Sequence, residues 1–216
     1  VKHDYPMLSL GNTYNYDELK DFDKRIKKIL GEERTFKYSC ELKYDGTAVS
    51  IKYRKGKFFQ AVTRGDGEQG DEVSDNVRTI RSIPLSLSGN DYPENFEIRG
   101  EIFMPHKVFR KLNKEREDQG ETPFANPRNA ASGTVKMKNS ADVAKRNLDA
   151  FLYYILGEEV NTDSHFESLK KARTWGFKIS DDIAITDTIE DVFKFIEHWD
   201  TERKNLPYDI DGIVIK

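Results

Sequence analysis

Cysteine is nearly missing: the 216 residues hold one, Cys40. A single thiol closes no internal disulfide, which fits a reducing cytoplasm. Histidine is scarce too, at positions 3, 106, 165 and 198, so no Cys/His zinc site is expected within the chain. No run approaches 18 uncharged apolar residues, and no helix is expected to cross a membrane. Val1-Lys2-His3-Asp4 is no signal peptide, and without an initiator Met the chain is expected to be a fragment. Excess positive charge is also absent: 35 Lys and Arg face 38 Asp and Glu, a net charge of −3. The broad basic field of a nucleic-acid-binding domain is therefore lacking. Any polyanion contact must use local patches, such as Arg110, Lys111, Lys114 and Arg116, or Lys136, Lys138, Lys145 and Arg146. Both patches read more readily as solvated helix faces. A Rossmann-type dehydrogenase is not expected, because strands and helices do not alternate in βαβ units.

What is present is enough for a packed interior. Hydrophobic residues make up 37% of the chain, and 13 Phe, 10 Tyr and 2 Trp can anchor a core, so disorder is not expected. Leu19, Phe22, Ile26, Ile29 and Leu30 recur at helical spacing over 16–30, and Gly31 is the stop. Alternation over 47–53 predicts a strand. Lys55-Gly56-Lys57 predicts a hairpin turn into a second strand, 58–62. A short helix is expected over 71–80, a strand over 96–103, and a helix over 106–119 that begins behind Pro105. Further expectations are an aromatic strand over 148–156, a helix over 164–175, an extended run over 179–185, a helix over 189–202, and a buried strand at 213–215. Strands cluster early and helices intervene without strict βαβ alternation. That pattern predicts an α+β fold with antiparallel sheets flanked by helices.

The chemistry-bearing segments lie at strand ends. In Glu41-Leu42-Lys43-Tyr44-Asp45-Gly46, period 2 places Glu41, Lys43 and Asp45 on one face. A lysine between two carboxylates is either an ion-paired rung or a placed amine that attacks when neutral. Thr63-Arg64-Gly65-Asp66-Gly67 offers a guanidinium fork beside glycines that let backbone approach a ligand, or else forms an ordinary hairpin loop. Glu101 of Arg99-Gly100-Glu101 can accept both ribose hydroxyls or close a salt bridge. Phe124-Ala125-Asn126-Pro127-Arg128-Asn129-Ala130-Ala131 is a polar loop that enters a small-residue helix, where Asn129 or Ser132 can serve as a cap. Tyr153 can stack on a base or sit in the core. Lys216, which ends Asp209-Ile210-Asp211-Gly212-Ile213-Val214-Ile215-Lys216, seeks an anion or points to solvent.

In this order the segments, with Pro6-Met7-Leu8-Ser9-Leu10 upstream, resemble the adenylation domain of bacterial NAD-dependent DNA ligases over nearly the whole chain. Lys-x-Asp-Gly is shared with ATP-dependent ligases and capping enzymes. The Thr-Arg-Gly-Asp-Gly and Asn-Pro-Arg-Asn-Ala blocks are more specific to the NAD-dependent branch. The resemblance implies a nucleotidyltransferase core of the ATP-grasp-like ligase type. Residues 1–34 would be a lead-in and helix, and 35–216 a catalytic core that ends before the family's last lysine motif. It implies that Lys43 attacks NAD, releases nicotinamide mononucleotide and keeps AMP as a phosphoramide, which then activates the 5′-phosphate of a nick in double-stranded DNA. Asp45 would orient Lys43 or a metal. Glu41, Ser9, Leu10, Tyr44 and Val214 would line the nucleotide site. Arg64 and Lys216 would contact the nucleotide and its phosphate, Glu101 the ribose, Tyr153 the adenine, and Arg128 and Arg203 the nucleotide and nick. Mg2+ is the implied metal. A monomer in the bacterial cytoplasm is expected.

Tyr44 departs from a commonly aliphatic position, and Lys136 from a common Arg, which removes a planar fork. The family's nicotinamide-recognising region, oligonucleotide-binding domain, zinc module and helix-hairpin-helix region have no counterpart in the sequence. Adenine-nucleotide binding is therefore expected, with little self-adenylation from NAD and no nick sealing. An ATP-dependent polynucleotide ligase and a non-catalytic nucleotide- or DNA-binding module are the rival readings.

Overall fold

The computed structural model describes residues 1–31, 33–157, 160 and 164–216. Among the described residues, seven strands form two antiparallel sheets. The first has the order β6-β1-β7, built from Ala184–Thr186, Tyr38–Tyr44 and Ile210–Ile215. The second has the order β3-β2-β4-β5, built from Lys57–Thr63, Thr47–Arg54, Asn95–Phe103 and Asp149–Leu156. The β2–β3 hairpin closes through Lys55 and Gly56, both at positive φ (49° and 69°). That is the backbone twist a two-residue antiparallel turn demands.

The chain passes from the first sheet to the second in one step, at Asp45-Gly46. Gly46 lies so close to β4 that a Cβ would stand 2.2 Å from the Ile102 carbonyl oxygen. A side chain there would force the two sheets apart. The end of β1 is thereby held against the C-terminal end of β4.

Helices cover the outer faces. α1 (Tyr16–Leu30) begins at Asn15, whose side chain accepts from the Glu18 amide, and ends at Gly31 as its spacing predicts. It packs with α7 (Ile189–Glu202) on the first sheet, around Leu19, Tyr38, Cys40 and Val192. α2 (Ser74–Val77), α4 (Pro127–Val135), α5 (Ser140–Lys145) and α6 (His165–Thr174) cover the outer face of the second sheet over Val49, Ile51, Tyr53 and Ile98. α3 (His106–Asp118) follows β4 and turns Val108, Phe109 and Leu112 inward. A third cluster joins the sheets: Tyr44, Phe103, Phe151 and Tyr208 stack at centroid spacings of 4.8–6.3 Å. The α+β expectation with antiparallel sheets and flanking helices is met.

Four local expectations shift. The helix expected over 71–80 shrinks to one turn, because edge strand β3 captures the backbone of 71–73: the Thr63 amide donates to Asp71 and the Val73 amide to Ala61. The extended run 179–185 pairs only at 184–186, because the Arg173 guanidinium takes the carbonyls of Ile179 and Ser180. Helix α5 was not foreseen, since six residues hold too little periodicity. Residues 213–215 are half-buried rather than buried, because β7 is an edge strand with one face turned to the site below.

Candidate functional site

Alternation along β1 sends Leu42 and Tyr44 into the aromatic cluster and Lys43 to the other face. Its cross-strand partner on β7 is Gly212, so no side chain stands opposite the amine. Lys43 Nζ donates to both carboxylate oxygens of Asp211 at 2.7 Å each. The pair is open to solvent, at 42% and 37% side-chain exposure. Asp211 was not among the expected site residues, although its motif was. The available signal was an acid beside a glycine, on a strand that had to pair next to the lysine.

Asp45 does not reach Lys43 by any hydrogen bond. It accepts from Arg128 at 3.1 Å, and its amide donates to the Asp209 carbonyl at 3.0 Å. Arg128 stands in the first turn of α4, which Pro127 starts and the Asn126 side chain caps by accepting from the Asn129 amide at 2.7 Å. Between these groups lies Glu101 on β4. Burial pushes its carboxyl up to about 7, against the pull of the Arg128 and Lys43 cations and a hydrogen bond from the Gly46 amide. The Tyr153 hydroxyl donates to Glu101 Oε2 at 3.5 Å.

A second polar group closes the far end. Glu41 is 4% exposed. His165 Nε2 lies 2.6 Å from its Oε1, and Lys216 Nζ donates to its Oε2 at 3.0 Å. Burial alone would raise the Glu41 pKa, yet His165 and Lys216 hold it below the usual carboxylate value. Burial lowers the Lys216 pKa, with Glu41 opposing. Lys216 also donates to the Tyr153 carbonyl at 2.9 Å, and its ammonium lies 5.4 Å from the Tyr153 ring centroid. One lysine thus ties the first sheet to the second. Val214 faces this group as the partner of Glu41. His165 was not foreseen, because its partners are 124 and 51 residues away in sequence.

Arg64 leaves β3 and reaches back to the lead-in, with Nε donating to the Met7 carbonyl at 3.2 Å and a terminal nitrogen to Ser9 Oγ at 2.7 Å. Leu10 follows, 60% exposed. Two expected residues fall outside this grouping. Tyr44 does not line the site: its ring is buried in the aromatic cluster, because strand alternation turns it away from Lys43. Arg203 lies exposed on a 3-10 turn with no side-chain hydrogen bond or ion pair among the described residues. The basic patches are largely tied into surface pairs: Lys111–Glu115, Lys114–Asp118, Lys136–Asp71 and Lys145–Asp142. Among the described residues, no group of three or more His, Cys, Asp or Glu is arranged to hold a metal ion.

Residues 1–216 match the sequence profile of the NAD-dependent DNA ligase adenylation domain. DNA ligase of Phocaeicola vulgatus is 60% identical over 216 residues, that of Bacteroides fragilis 59%, and that of Flavobacterium johnsoniae 50%. Each alignment covers 100% of this chain and 32% of the relative, so the chain spans about a third of those proteins. A solved structure titled Pmar-Lig_Pre. superposes with a TM-score of 0.51 at 17% identity, over 88% of this chain and 40% of that one, and shares the fold.

Proposed function

The chain belongs to the NAD-dependent DNA ligase adenylation-domain family, and from that premise we propose that Lys43 takes AMP from NAD and passes it to the 5′-phosphate of a DNA nick. Neutral Lys43 Nζ attacks the α-phosphorus. A P–N bond forms, the amine sheds a proton, and the P–O bond to nicotinamide mononucleotide breaks with its electron pair on the leaving phosphate. A nick phosphate oxygen then attacks the same phosphorus and breaks the P–N bond. The 3′-hydroxyl attacks the activated phosphate and AMP departs. Such transfer is driven by in-line positioning and by groups preset for the developing charge.

The observation that carries the reading is the setting of Lys43. Its amine is aimed by Asp211, faces no side chain at Gly212, and shares the space between the sheets with Glu101, Asp45 and Arg128. Glu101 receives the ribose hydroxyls and Tyr153 lies under the adenine. Glu41, Lys216 and Val214 bound the far side of the nucleotide, with Ser9, Leu10 and Arg64 at its flank. Arg128 and Arg203 serve phosphate and nick. The two sheets form a nucleotidyltransferase core of the ATP-grasp-like ligase type, residues 35–216, with 1–34 as its lead-in, working in the bacterial cytoplasm. The nearby carboxylates do not make a cage for magnesium: Asp45 is held by Arg128 and Asp211 by Lys43.

The test is intact mass after incubation with NAD, with ATP or with neither, each with magnesium, beside Lys43→Ala. It is run on this chain and on the chain placed within a full-length ligase. One AMP from NAD is expected in the full-length setting, none from ATP, and none in Lys43→Ala. The isolated chain is expected to bind adenine nucleotide but to label weakly. Labelling from ATP in preference to NAD, or none in either setting, overturns the proposal.

A further inference from the structure

Arg99 and Glu97 take no part in the chemistry proposed above, yet they are among the most deeply buried charges in the chain, at 9% and 3% exposure. Both lie on β4, and both side chains point to the face of the second sheet that carries Glu101, two residues further along. A step of two residues along a strand is about 7 Å. Arg99 Nε donates to Glu97 Oε1 at 2.8 Å. Its two terminal nitrogens donate to the carbonyls of Pro6 at 3.1 Å and Tyr5 at 2.6 Å. A buried pair of this kind is seldom retained for stability, since desolvation offsets most of its attraction. Fixing one geometry is the better-attested use of such a pair. Here the geometry fixed is that of the lead-in. Lys52, on the same face, pairs with Asp4, and the amides of His3 and Met7 donate to Glu68 and Gly67. Immediately beyond the clamp, Arg64 grips Met7 and Ser9.

We propose that the Glu97–Arg99 pair is a positioning clamp: it fastens residues 5 and 6 to the sheet and so sets Ser9 and Leu10 at the flank of the nucleotide site that Glu101 bounds from the same strand. The inference rests on the functional reading above. Glu97 holds the guanidinium flat so that its two remaining arms meet two consecutive carbonyls. A lysine has no such fork.

The test uses the 216-residue chain and AMP as the probe. In Arg99→Gln, exchange of the His3 and Met7 amides is expected to rise about tenfold, while the β2 and β4 amides keep their protection. AMP affinity is expected to fall about fivefold. Leu10→Ala, at an exposed position, is expected to weaken AMP binding on its own. Combined with Arg99→Gln it is expected to add little, because both act through the lead-in. Arg99→Lys keeps the charge with a single head and should fall between. It also carries the measurement if Arg99→Gln does not fold. Unchanged exchange at His3 and Met7 overturns the clamp. Raised exchange with unchanged AMP affinity, or full additivity with Leu10→Ala, overturns its link to the site. Failure of the unsubstituted chain to bind AMP overturns the functional reading, and the link with it, and is seen before any variant is made.

Discussion

Glu101 holds a proton near neutrality because burial disfavours its charge more than Lys43, Arg128 and the Gly46 amide favour it. Its pKa of about 7 in the folded chain stands above the ordinary 4.5. Between those values the folded chain keeps a proton that the unfolded chain has released. Stability should therefore decline as pH rises through that window, with the full cost present above it. Glu101→Gln removes the dependence. Denaturant midpoints should coincide with the unsubstituted chain at pH 4 and exceed it at pH 8, by on the order of 1–3 kcal/mol. Nucleotide affinity should fall in the same variant, since a neutral amide accepts ribose hydroxyls less strongly than a carboxylate. Equal midpoints at both pH values would mean that Glu101 titrates normally.

Asp211 makes the opposite case. Its pair with Lys43 is more than a third exposed, so Asp211→Asn should change stability by less than about 1 kcal/mol. Adenylation within a full-length ligase should nonetheless drop on the order of 10- to 100-fold, because the amine loses its aim. Thermal melts read beside single-turnover labelling separate the two effects. Most residues of the site were legible as types in motifs: Lys43, Glu101, Arg128 and Lys216 are where their segments placed them. Pairings were not. Asp211 was passed over for Asp45 as the partner of Lys43, because one sequence cannot show that a residue 168 positions away lies in hydrogen-bond range.

At the scale of elements, the legible parts are those whose signal is local. α1 and α7 were readable from apolar spacing, and the β2–β3 turn from a Gly at positive φ. The parts that were not readable are those a distant strand or side chain decides, such as 71–73 on β3 and 179–180 under Arg173. α4 shows how an element's start serves the site. Asn126 caps it and Arg128 stands in its first turn. Asn139 caps α5 in the same manner, accepting from the Ala141 amide, with no contact to the Lys43 group. Asn126→Ala and Asn139→Ala should each cost about 1 kcal/mol in a denaturant titration. Only Asn126→Ala should also weaken AMP binding, because fraying its first turn frees Arg128 from Asp45. Equal losses of affinity in both would show that the cap acts through stability alone.

At the scale of the molecule, the site exists because two sheets are held at a fixed separation. Two links set it. One is polar and faces the site, where Lys216 joins Glu41 to the Tyr153 carbonyl. The other is apolar and lies behind Lys43, where Tyr44 from the first sheet stacks against Phe151 and Phe103 from the second and meets Tyr208 edge-on. Tyr44 is 8% exposed. An aliphatic residue there keeps the apolar contact but gives up the ring stacking. Tyr44→Leu should therefore cost about 1–3 kcal/mol, and Tyr44→Ala, which leaves a cavity between the sheets, about 3–5 kcal/mol. Because the ring points away from the nucleotide face, Tyr44→Leu should leave AMP affinity within about twofold at temperatures where the chain stays folded. A direct ligand contact would give the reverse pattern, a large loss of affinity at little cost in stability. Denaturation midpoints and AMP titrations on the same two variants distinguish an inter-sheet spacer from a pocket wall.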